Sequence, residues 1–309
     1  MPELPEVETV RRSLEATVTG RTIRSVRLSG LPLREPIARG FAGRVTGHRL
    51  TRARRHGKYL LLDLDRGLTL LSHLGMSGRW LFFPEPPAPA PAPDMRHVHV
   101  RLIFSDGSEL WFQDPRRFGL LRAVPTAGLA RDPSLALVGR DPIAAPPTGD
   151  WLHERARDAR LSVKDFLMDQ QRVAGIGNIY ASEILHRARI HPLTRAGRVS
   201  PAAWDAISRE IATVLNEAIE RSGTTFSMYR TMWNEPGEYG AQLRVYDRSG
   251  QPCRTCGTPI RRIVQGGRAT YLCPRCQRGP GPLARRGSRV LKPQVRRRQT
   301  RRRGGASGS

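Results

Sequence analysis

Tyr59-Leu60-Leu61-Leu62-Asp63-Leu64-Asp65-Arg66-Gly67-Leu68-Thr69-Leu70-Leu71-Ser72-His73 reads as two apolar arms around a turn. Asp65-Arg66-Gly67 supplies the turn residues, and the leucine-rich arms on either side are long enough for paired strands, so the stretch predicts a β-hairpin. Similar runs lie at Ile23-Leu28, Trp80-Phe83, Val98-Phe104 and Glu109-Phe112, and Ser105-Asp106-Gly107 marks a second hairpin. Several short strands at this spacing predict a sandwich or a barrel. Ahead of them, Val7, Val10 and Leu14 repeat at helical spacing within Glu3 to Val18. Residues 1–130 are therefore expected to form a strand-dominated mixed domain. The Pro/Ala tract from Pro84 to Pro93 interrupts it as an extended, exposed loop.

Beyond this domain the pattern changes. Residues 131–150 are rich in Pro, Gly and Asp and read as a linker. Helices are predicted at Trp151-Ala159, Val163-Met168, Ile179-Ala188 and Pro201-Ser222, the last with Ser200 as N-cap and Pro201 in its first position. Gly175-Ile176-Gly177-Asn178 leads into the third of them. An Asn at a helix start is commonly a cap, and the exposed N–H groups there also suit a phosphate. Gly223 to Tyr239 shows no periodicity.

Cys253, Cys256, Cys273 and Cys276 are the only cysteines and form C-x2-C-x16-C-x2-C. Two tight knuckles of thiolates match tetrahedral Zn²⁺. Two disulfides are the alternative, disfavoured by the paired spacing and by the lack of a recognisable secretory signal. A four-thiolate site has no open coordination position, so the metal is expected to be structural.

The chain has 309 residues, 39% of them hydrophobic, and a net charge of +25. That length allows two or three domains with real cores. Such a charge calls for a polyanion, of which nucleic acid is the commonest. From Gln277 to Ser309 there are 11 Arg or Lys and no acid, which leaves +14 on the remainder. The folded part is thus basic in its own right, and the tail reads as disordered. No apolar run approaches the ~20 residues of a membrane span. A cytoplasmic, nucleoid-associated protein is expected.

Met1-Pro2-Glu3 carries a chemical possibility. Removal of Met1 would leave the Pro2 nitrogen as a free secondary amine with a pKa near ~8, far more nucleophilic at neutral pH than an ordinary lysine. Attack on a sugar carbon would give an iminium, an electron sink, with the Glu3 carboxyl beside it to handle protons.

The motifs together resemble one family. Met1-Pro2-Glu3-Leu4-Pro5-Glu6-Val7-Glu8-Thr9-Val10, His56-Gly57-Lys58-Tyr59-Leu60, His73-Leu74-Gly75-Met76-Ser77-Gly78, Asp114-Pro115-Arg116-Arg117-Phe118-Gly119, Gly175-Ile176-Gly177-Asn178-Ile179-Tyr180-Ala181 and the cysteine finger are similar, in order, to those of formamidopyrimidine-DNA glycosylases. The resemblance covers about residues 1–277. It implies an α+β multi-domain fold: an N-terminal β-sandwich with flanking helices (1–130), a linker (131–150), a helical helix–two-turn–helix domain with a lesion-capping loop (151–240), a zinc finger (241–277) and a basic tail (278–309). It implies a bifunctional glycosylase and AP lyase that removes 8-oxoguanine and formamidopyrimidines and nicks the strand by β,δ-elimination. The partner would be double-stranded DNA containing oxidised bases, met by a monomer with one zinc ion and no organic cofactor.

By the same resemblance, Pro2 is the Schiff-base nucleophile, Glu3 the proton donor, Lys58 the β-elimination lysine and Arg268 the phosphate-binding arginine of δ-elimination. Glu6 is structural or substrate-orienting. Met76, Arg116 and Phe118 form the wedge that fills the duplex when a base is extruded. Asn178, Arg160, Lys164 and His97 contact DNA, with His97 favoured over His99 by motif position. Two other readings use the same residues differently. One is a Nei-type glycosylase for oxidised pyrimidines; the other is a damaged-DNA-binding protein without catalysis. The wedge residues and Ser222-Gly223-Thr224-Thr225 favour the first family over Nei, and retention of Pro2, Glu3, Lys58 and all four cysteines argues against loss of catalysis.

Overall fold

The computed structural model describes residues 2–85, 95–225, 231–233 and 235–279. Met1, the Pro/Ala tract from 86, part of the expected capping loop and the basic tail beyond Gly279 lie outside the described residues.

Helix α1 (Leu4–Val18) leads into strand β1 (Ile23–Leu28), the short helix α2 (Phe41–Val45), and strands β2 (Leu50–His56), β3 (Tyr59–Leu64), β4 (Leu68–His73), β5 (Arg79–Phe83), β6 (Val98–Phe104), β7 (Glu109–Gln113) and β8 (Leu120–Pro125). They form two antiparallel four-stranded sheets, ordered β1-β6-β7-β5 and β2-β3-β4-β8. The opening hairpin pairs Tyr59 with His73 and Leu64 with Leu68, so Arg66 takes a left-handed φ of 56° at its turn. Leu60, Leu62 and Leu70 from one sheet and Trp80, Leu102 and Phe112 from the other share one core with Val7, Val10 and Leu14 of α1. A sandwich covered by a helix results.

Two strands carry no clear signal in the sequence. Strand β2 contains Arg52, Arg54 and Arg55, yet it is an edge strand, and Arg54 is neutralised by Asp63 on β3 at 2.6 Å. Strand β8 forms the other edge and ends in Pro125, whose missing N–H is harmless there.

The second core belongs to α3 (Gly149–Ala156), α4 (Val163–Met168), α5 (Asn178–Arg187) and α6 (Pro201–Glu220). Thr148, Ser162 and Ser200 cap α3, α4 and α6 with their side-chain oxygens. Leu4, from the start of α1, is buried in this second core, whereas Val7 one turn later is buried in the first. The Leu4 N–H also donates to Gly175 O at 3.0 Å. The N-terminus of the chain is thereby fixed at the junction of the two units.

The linker is fixed as well. Asp141 pairs with the buried Arg55 at 2.5 Å and accepts the Gly57 N–H at 2.7 Å. A last hairpin, β9 (Arg261–Gln265) and β10 (Arg268–Leu272), carries the finger. Glu183 of α5 holds the segment entering the finger by accepting the N–H groups of Arg244, Val245 and Tyr246 at 2.8–2.9 Å. Among the described residues, no helix is long and apolar enough to cross a membrane.

Candidate active site and nucleic-acid interface

The N-terminal end of α5 faces the start of α1. Four N–H groups at a helix start have no partner within the helix and attract negative charge. Here the Glu3 carboxylate takes three such donors: Gly177 N–H at 2.7 Å, Ile179 N–H at 3.0 Å and Tyr180 N–H at 3.4 Å. Glu3 is 3% exposed, and Pro2 before it is buried. The structure aims the Glu3 carboxylate at a helix more than 170 residues away in the chain.

Gly177 makes this possible. A Cβ there would lie 2.3 Å from Glu3 Cδ and 2.5 Å from Oε1. Gly175 plays the matching part for Leu4, since its Cβ would lie 2.6 Å from the Leu4 side chain. The two glycines of Gly175-Ile176-Gly177-Asn178 are the space into which the N-terminus fits.

Glu6 stands behind Glu3. Its carboxylate accepts from Tyr180 Oη at 2.5 Å, Thr224 N–H at 2.7 Å and Glu3 N–H at 2.8 Å. Burial raises the Glu6 pKa, and the neighbouring Glu3 charge adds to the rise. Burial, with Glu6 beside it, also pushes the Tyr180 hydroxyl well above its usual range. Sequence reasoning quoted Tyr180 and Thr224 only within motifs and gave neither a role, because their partner Glu6 is remote in the chain.

Lys58 is 7% exposed, and its ammonium donates to Ile176 O at 3.4 Å. Burial lowers its pKa, partly offset by Glu3 and Glu6 and reinforced by Arg268. A buried amine poised this way is better suited to accept a proton than a solvated lysine. Lys58 lines a cavity of about 270 Å³ with Tyr59, His73, Val138 and Gln170. His73 is held at about 3, mainly by burial and then by Arg34 and Lys58, so it is neutral. Its Nδ1 accepts the Gly75 N–H at 2.9 Å.

Arg268 is exposed at the start of β10, and its charge is felt by both Lys58 and Lys164. Lys164 is 1% exposed and donates to Asn178 Oδ1 at 2.5 Å and Thr270 Oγ1 at 2.6 Å. Asn178 in turn donates to Ala269 O at 2.9 Å. Lys164 and Asn178 thus join α4, α5 and β10, and both already have protein partners. Burial lowers Lys164 to about 8. Arg160 is exposed.

The wedge candidates sit together on two adjoining loops. Met76 is 39% exposed and Phe118 45% exposed. The Arg116 guanidinium lies 4.8 Å over the Phe118 ring. A Cβ at Gly75, where φ is +60°, would lie 2.4 Å from the Phe118 carbonyl carbon, so the two loops touch through backbone. Buried Asp114 sets their shape by accepting from Ser77 Oγ at 2.5 Å and Gly119 N–H at 2.7 Å. Asp114 was not singled out by sequence reasoning, although it opens the Asp-Pro-Arg-Arg motif. His99 is buried and bonds through Nε2 to Asp114 O at 3.0 Å, whereas His97 is only partly buried.

The ligand sulfurs of Cys253, Cys256, Cys273 and Cys276 all lie within 4.8 Å of one another. The separations of Cys256 from Cys273 and of Cys253 from Cys276 are 3.5 and 3.9 Å. Sulfurs about 2.3 Å from a tetrahedral zinc stand about 3.8 Å apart, so the cluster fits one structural ion.

Comparison with known proteins places this geometry. Residues 1–121 match the formamidopyrimidine-DNA glycosylase N-terminal domain, 138–230 the formamidopyrimidine-DNA glycosylase H2TH domain, and 250–279 the zinc finger found in FPG and IleRS. A formamidopyrimidine-DNA glycosylase of Methylococcus capsulatus is 47% identical over 282 residues, covering 90% of this chain and all of that one. Lactococcus lactis Fpg bound to an abasic-site DNA superposes with a TM-score of 0.80 at 31% identity. The wild-type Lactococcus lactis enzyme bound to an N7-benzyl-Fapy-dG DNA also superposes at 0.80, with 30% identity, and each match covers 90% of this chain and all of the other.

Proposed function

The chain belongs to the formamidopyrimidine-DNA glycosylase family, and on that premise we propose how its residues divide the work. The protein is a DNA glycosylase of base excision repair that acts on oxidised purines in damaged duplex DNA and carries one structural zinc. Its residue roles and its cytoplasmic, nucleoid-associated location are our reading.

Met76, Arg116 and Phe118 enter the duplex, fill the space left by the extruded nucleotide and meet the orphaned base. His97, Arg160 and the α5–finger surface around Asn178 and Lys164 grip the phosphates. The Pro2 nitrogen, freed by loss of Met1, attacks C1′ of the damaged nucleotide with its lone pair. The Glu3 carboxylate takes the proton that this nitrogen loses and delivers it to the ring oxygen as the C1′–O bond opens, so that the oxygen becomes a hydroxyl. The base then leaves with the C1′–N bond pair and takes a proton from solvent, and the Pro2 lone pair closes an iminium to C1′. That iminium acidifies the 2′ carbon; Lys58 removes the proton, and the electron pair expels the 3′ phosphate. Arg268 holds the phosphate through the second elimination. The metal takes no part in these steps.

One observation carries the reading: the Glu3 carboxylate is held by three N–H groups of α5, beside Pro2 and within electrostatic range of Lys58. The test is borohydride trapping on duplex containing 8-oxoguanine opposite cytosine. A covalent adduct that disappears in Pro2→Gly is expected. Tight binding without trapping would leave only a damaged-DNA-binding protein, and trapping on oxidised pyrimidine alone would favour a Nei-type enzyme.

A further inference from the structure

Helix α5 meets the Glu3 carboxylate at one end and the zinc cysteines at the other. Near its C-terminal end stands His186, 3% exposed, with Nε2 3.5 Å from Cys253 Sγ. Its Nδ1 is buried without a hydrogen-bond partner among the described residues. A buried ring whose one partnered nitrogen faces a sulfur has its tautomer set by that contact. Zinc-bound Cys253 is a thiolate, an acceptor only, so the facing nitrogen must carry the proton. The opposite tautomer would set a lone pair against an anionic sulfur.

We propose that His186 donates its Nε2–H to the zinc-bound Cys253 thiolate, as an outer-shell residue that retains the metal and ties it to α5. The cysteine knuckle supplies its own backbone donor to the same sulfur, Thr255 N–H at 3.4 Å. His186 adds a second from outside the finger. Four thiolates on one zinc ion carry a net charge of about −2. A donor to one of them disperses that charge and slows protonation of the sulfur, which is the first step of metal loss. Glu183, one turn earlier on the same helix, already clamps the segment entering the finger. The metal site and this clamp thus hold the finger to the C-terminal half of α5 at two points.

The test uses full-length zinc-loaded protein and the rate of zinc transfer to a chromophoric chelator. His186→Phe keeps the ring volume and deletes the donor; His186→Gln places an amide N–H near the former Nε2. Loss of an outer-shell partner costs about 10–100-fold in metal retention, and that is the acceleration expected for His186→Phe. His186→Gln should stay within a few-fold of the natural protein. Equal release from His186→Phe and the natural protein overturns the proposal. So does equally fast release from both variants, which would assign the effect to packing. Should His186→Phe not fold, NMR of the unmutated protein loaded with cadmium decides. A His186 ring N–H proton with scalar coupling to the metal is expected, and a ring without an Nε2 proton overturns the assignment. None of these readouts depends on glycosylase activity.

Discussion

Replacing Gly177 by alanine isolates the positioning of Glu3. The Gly177 backbone has φ −126° and ψ −157°, an extended conformation that alanine adopts without strain. The only change is a methyl group 2.3 Å from Glu3 Cδ. Non-bonded carbons rest at about 3.5 Å, so the carboxyl must retreat by roughly 1.2 Å. Glu3 leads directly from Pro2, and its carboxylate has three donors to lose. A misplacement of about 1 Å costs on the order of 10²-fold in rate, or about 2.7 kcal/mol of barrier. The assay is single-turnover release of 8-oxoguanine with enzyme in excess. Affinity for a duplex carrying an uncleavable abasic analogue and the melting temperature serve as controls. A roughly 100-fold slower rate is expected, with affinity changed by only a few-fold. A folded Gly177→Ala protein that releases base within about threefold of the natural rate would refute the reasoning, because Glu3 would then need no fixed place.

Other outcomes follow from the same geometry. Burial holds Lys164 at about 8 against an ordinary 10.5. The folded state thus binds fewer protons than the unfolded one in that interval, so the penalty is complete below about 8 and fades as pH rises towards 10.5. In urea melts, the stability of the natural protein should therefore gain on that of Lys164→Met between about pH 8 and 10; parallel pH profiles would argue against it. Stripping zinc with a chelator should weaken DNA binding measured by anisotropy, and adding zinc back should restore it. Deleting residues 279–309 should flatten the plot of log affinity against log salt by about 0.9 for each phosphate the tail neutralises. An unchanged slope would mean that the tail makes no such contacts.

Much of the fold was legible because its signals are local. The leucine arms of β3 and β4, the Ser200-Pro201 start of α6 and the paired cysteines each announce themselves within a few residues. Strand β2 was not legible: its arginines face solvent or pair with Asp63 and Asp141, and only the fold brings those acids alongside. The site divides in the same way. Pro2, Glu3 and Lys58 are proposed from motifs, yet what holds Glu3 is a helix start supplied by residues 177–180. Gly177 is needed for the space it leaves to another residue, a reason no reading of its own neighbours reveals. Asp114 and Tyr180 escaped for the same cause, since each acts on a loop or carboxylate distant in sequence.

In the proposed mechanism the reaction runs through the Pro2 nitrogen. The most direct measurement is mass mapping of the borohydride-trapped complex formed on 8-oxoguanine DNA. After digestion, the reduced sugar should be found on the N-terminal peptide, on the nitrogen of Pro2, with Met1 absent. A sugar attached to Lys58 or another lysine, or an adduct formed by protein that retains Met1, would rule out Pro2 as the nucleophile.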